Sequence, residues 1–75
     1  MALADDLADA LSAEVMAAMD ETGDDRLHER VAKVIGAMSP SLEEVFMTWM
    51  RVRLPDRRGR HYFAGELARL RGAKA

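Results

Sequence analysis

Cysteine is absent from this chain, and histidine occurs only at His28 and His61. No disulfide can form, no thiol can act as a nucleophile, and a zinc site would need an unusual carboxylate-rich shell. Serine is scarce too, at positions 12, 39 and 41. Two of these fall where helix caps are expected, so no nucleophile, base and orienting group can be assembled. The five glycines make no phosphate-cradling loop. No apolar run approaches the 18 residues of a membrane span, and the acidic opening Met1-Ala2-Leu3-Ala4-Asp5-Asp6 lacks the basic start of a secretory leader. The expectation is a cytoplasmic, non-enzymatic protein with no cofactor and no metal.

What is present describes one small helical unit. The 75 residues, 49% apolar and 32% charged, suit a single domain over 1–75. A domain of that size buries only about 60% of its unfolded surface, so without staples its usual remedy is a shared core. Nine arginines, two lysines and thirteen alanines give the compositional impression of a GC-rich bacterial genome, which carries no function.

Periodicity predicts four helices, at about 3–21, 25–37, 40–54 and 60–71. In the first, Leu3, Leu7, Leu11, Val15 and Met19 advance by four residues along one face, with aspartates opposite. Gly23 supplies a left-handed stop, and Asp24 or Asp25 the next cap. Leu27, Val31, Val34, Ile35 and Met38 mark the second helix. Ser39-Pro40 then reads as an N-cap followed by a proline in the first turn, with Ser41 and Glu44 as a further capping pair. Leu54-Pro55 is expected to end the third helix, Pro55-Asp56-Arg57-Arg58-Gly59 to form a turn, and Phe63, Leu67 and Leu70 to stripe a fourth.

The middle pair has the apolar spacing of a helix-turn-helix unit: Val31, Ala32, Ile35, Gly36, Leu42 and Val45. Its second helix would present Glu43 and Glu44 to the groove, and phosphates repel carboxylates. Any two helices joined by a short turn share that spacing. Asp20, Glu21, Asp24 and Asp25 cluster around Gly23 but do not follow the calcium-loop pattern, and capping accounts for them better. Met16 and Met47 fall on polar sides of their helices, where each is a weak candidate for a contact site.

Charge is polarised along the chain. Residues 1–25 carry eight acids and no base, and residues 51–75 carry eight bases and two acids. The two ends should attract each other, within one chain or across a dimer. The leading expectation is a protein–protein interaction or regulatory domain, homodimeric through Leu3, Leu7, Leu11, Val15 and Met19, with a further unidentified protein partner. The alternative is a nucleic-acid-associated regulator. Its phosphate contacts would come from Arg51, Arg53, Arg57, Arg58 and Arg60, with Tyr62 stacking on a base. A blander account has the same arginines pairing with nearby carboxylates.

Overall fold

The computed structural model describes residues 2–73 and is helical almost throughout. Helix α1 runs Ala2–Thr22, α2 Leu27–Met38 and α3 Pro40–Ala73. Among the described residues the expected count of four helices is corrected to three, because the turn expected at 55–59 is absent and the 34-residue α3 continues through Pro55.

Local chemistry explains the first two boundaries. Gly23 takes φ +74°, and its N–H donates to the Met19 carbonyl at 2.9 Å, closing α1. Asp24 stands where a cap was expected, yet α2 starts later, after Arg26. The Asp24 carboxylate accepts the Arg26 backbone N–H at 3.0 Å and also receives the Arg30 guanidinium. Those contacts, Arg30 first, hold its carboxyl below the ordinary carboxylate value. Ser39 alone separates α2 from α3, and its hydroxyl accepts the Leu42 N–H at 3.1 Å with Pro40 at the first helical position. The corner is tight: a Cβ at Gly36 would lie 2.5 Å from the Glu43 carboxylate.

Pro55 removes the hydrogen bond its N–H would give to the Arg51 carbonyl, which normally breaks or kinks a helix. Here tertiary contacts hold both sides of it. Leu54 packs against the core, Arg53 reaches Asp9 and Arg57 reaches Asp20, so α1 fixes α3 before and after the proline. Further along, Arg60 pairs with Asp56 and Arg69 with Glu66, both within one turn of the helix.

The helices run up, down and up. Asp9 of α1 meets Arg53 and Asp20 meets Arg57, so α1 and α3 are parallel, whereas the start of α2 lines a cleft with Leu54, Pro55, Arg57 and Arg58. Their shared core is Ala8, Val15, Met19, Ala32, Phe46 and Met50, with Phe46 and Met50 fully covered. Met16 and Met47 also pack against this core, which corrects their expected place on polar faces.

The packed body stops short of the end of α3. The core and the side chains packed on it extend no further than Leu54, and Arg57 makes the last ion pair to another helix. From Arg58 to Ala73 every residue is exposed except the half-buried Glu66 and Leu67. The result is an arm. A compact chain of this length has a radius of gyration of about 11 Å, against the 15.7 Å found here with a longest dimension of 55 Å. Among the described residues, no helix is long and apolar enough to cross a membrane.

Candidate functional site

The arginine-rich segment is mostly engaged within the chain. Arg53 and Asp9 form the most enclosed of its ion pairs. The Arg53 Nε donates to Ser12 Oγ at 2.8 Å, its terminal nitrogen bonds the Asp9 carboxylate, and its guanidinium carbon lies 5.8 Å from the centre of the Trp49 ring. Ser12 is fully buried and donates in turn to the Asp9 carbonyl at 2.8 Å, so one hydroxyl satisfies a donor and an acceptor at the α1–α3 seam. Arg57 donates to Asp20 at 2.6 Å, Arg51 to Glu44 at 3.0 Å and Arg60 to Asp56 at 3.0 Å. Arg58 is exposed and makes no ion pair among the described residues. Tyr62 is 73% exposed on the arm, and His61 is exposed beside it.

The five apolar residues of α1 divide between two environments. Val15 and Met19 lie in the chain's own core and Leu11 packs against it, whereas Leu3 and Leu7 are 65% and 54% exposed. The lower half of the stripe therefore already has its partner, in α2 and α3. Its upper two leucines remain open to solvent.

A longer apolar feature runs along α3 and was hidden by the expected break at Pro55. At 100° per residue Val45, Trp49, Val52, Phe63, Leu67 and Leu70 fall within about 60° of one another on an uninterrupted helix. Asp56 falls inside that arc and Gly59 about 20° beyond its edge. Val52, Phe63 and Leu70 are 62%, 63% and 48% exposed. On the body the stripe borders a groove of about 350 Å³ lined by Asp5, Val45, Thr48, Trp49 and Val52; on the arm it is open. A sequence signal for it existed in the fixed phase of these six residues, provided the helix was allowed through the proline.

A further concavity, of about 820 Å³, lies where α2 begins and is lined by Asp25, Arg26, His28, Glu29, Leu54, Pro55, Arg57 and Arg58. Its charges are mixed, and His28 Nδ1 is buried there without a hydrogen-bond partner. Among the described residues no group of three or more histidines and carboxylates could hold a metal ion. Compared with known proteins, the chain matches no family model, no curated protein and no solved structure.

Proposed function

We propose that this chain is a non-enzymatic interaction or regulatory domain that works as a homodimer, with the arm of α3 as its main pairing element. The observation that carries this reading is the open apolar stripe on a segment with no support from the rest of the fold: Phe63 and Leu70 face solvent on a helix end of about sixteen residues. An isolated helix of that length is marginal in water, and contiguous exposed apolar surface marks an interaction site. The arm differs from the element expected on sequence grounds, α1, because Val15 and Met19 are already covered internally. Leu3 and Leu7 remain as secondary contacts. A cytoplasmic setting belongs to the same proposal and is supported by the complete lack of cysteine.

Nucleic-acid binding has less behind it. Arg51, Arg53, Arg57 and Arg60 each hold a carboxylate of the same chain, so phosphate contact would have to displace those pairs. The helix-turn-helix reading of α2 and α3 has a one-residue corner where the DNA-binding motif uses a turn of three or four.

Sedimentation equilibrium at micromolar concentration tests the proposal, with a dimer as the expected result. Covering Phe63 is worth roughly 1.5–3 kcal/mol, so Phe63→Ser should weaken association at least about tenfold while leaving circular dichroism of the body unchanged. A monomeric parent chain refutes the reading.

A further inference from the structure

We infer that the second copy lies antiparallel along α3, so that each arm runs over the other protomer's body and its tip enters the groove beside Trp49 and Val52. This rests on the homodimer reading above and specifies its geometry. Three observations select the occupant and the direction.

The first is continuity. The arm's Phe63, Leu67 and Leu70 share one helical phase with the groove residues Trp49 and Val52. An antiparallel partner centred on position 61 therefore meets apolar residues at both ends of the overlap, with Asp56 the polar position within it. Leu70 of one copy comes opposite Val52 of the next.

The second is shape. The same register places Gly59 opposite the partner's Phe63. Gly59 has open space around it, with nothing within 4 Å of where a Cβ would stand, so the missing side chain leaves a recess for the ring. The least favourable layer brings Asp56 near the partner's Glu66. Each of those carboxylates already holds an arginine of its own chain, Arg60 and Arg69.

The third is charge. The arm carries Arg58, Arg60, Arg69 and Arg71 against Glu66 alone, whereas the groove is rimmed by Asp5 of the acidic helix α1. Antiparallel pairing sets the basic tip beside the acidic end of the body. Parallel pairing would set one basic arm against the other and leave both projecting.

Disulfide trapping in the full chain decides the geometry, and with no native cysteine the result is unambiguous. Val52 and Leu70 are separated by eighteen positions on one helix, or about 27 Å, too far to join within a protomer. Val52 is largely and Leu70 about half exposed, and both lie outside the core, so substitution spares it; circular dichroism of each variant verifies that. The double variant Val52→Cys/Leu70→Cys should convert mostly to a covalent dimer under mild oxidation. Val52→Cys alone and Leu70→Cys alone should stay uncrosslinked, because identical positions lie at opposite ends of the pair. Crosslinking of either single variant overturns the antiparallel arrangement. A sedimenting dimer that traps in none of the three overturns it too, while leaving self-association standing. A monomer, or a stable complex with a different protein in place of the second copy, overturns both.

Discussion

Leu54 and Leu70 belong to the same helix, yet they live in different solvents. Residues 40–57 of α3 have α1 and α2 beside them, with Phe46 and Met50 fully covered and Arg53 and Arg57 tied to α1. Past Arg58, which still borders the cleft at the start of α2, the chain is exposed except for the half-buried Glu66 and Leu67, with ion pairs no longer than one helical turn. The same local conformation is thus held by packing in one half and by propensity and short-range pairs in the other. The body half is a scaffold. The arm is stable to the extent that something covers it, which is why its apolar residues point to a partner and those of the body do not.

The contrast predicts how the halves respond to damage. Phe46→Ala should have the largest effect, about 3–5 kcal/mol, because a fully buried aromatic leaves a cavity at the meeting point of all three helices. Urea denaturation of the variant, followed by circular dichroism, should show a midpoint far below that of the parent chain, with the body and arm lost together. If Phe46→Ala unfolds with the parent midpoint, the assignment of the body as the stable half fails.

Pro55 sits at the junction between the halves and gives the next effect in size. An interior proline costs a helix about 3 kcal/mol relative to alanine. Pro55 is solvent-exposed, so Pro55→Ala removes little packing and restores a donor for the Arg51 carbonyl. We expect stabilisation by about 1–3 kcal/mol, read as a raised denaturation midpoint together with slower amide exchange on the arm. Destabilisation would mean that the proline is matched to a bend the two halves require.

That proline also marks where reading from sequence reached its limit. The stripes of α1 and α2, the stop at Gly23 and the Ser39-Pro40 start of α3 are local, and each is visible in a few neighbouring residues. The passage of α3 through Pro55 is not local. It depends on Arg53 and Arg57 finding Asp9 and Asp20, carboxylates more than thirty residues earlier, and a window of neighbouring residues contains neither. The same gap concealed part of the candidate site. The polarity between an acidic start and a basic end was plain in the composition, but its partial neutralisation within one chain was not. With Pro55 as a boundary, Val52 and Phe63 fall on separate helices and their common phase carries no meaning. Val15 and Met19 looked as available as Leu3 and Leu7, because a stripe on one helix does not say which of its residues another helix will cover.

Gly59 provides the smallest expected effect and the sharpest separation of the two halves' roles. Glycine inside a helix is about 1 kcal/mol less favourable than alanine, and nothing in the chain lies within 4 Å of a Cβ added there. In an isolated protomer Gly59→Ala should therefore firm up the arm, raising helicity and protection of the amides around it. In the antiparallel pair the same methyl enters the recess that receives the partner's Phe63, so the dissociation constant should rise by several-fold, about 1 kcal/mol of weakening. Folding and association move in opposite directions only if the open face of the arm, at this glycine, is the surface that meets the second copy. An exposed arm without a partner would show the gain in helicity and no change in association, and pairing through α1 would give the same result. Measuring both quantities on one variant thus tells whether the unsupported half of α3 is merely a helix end in water or the half that binds.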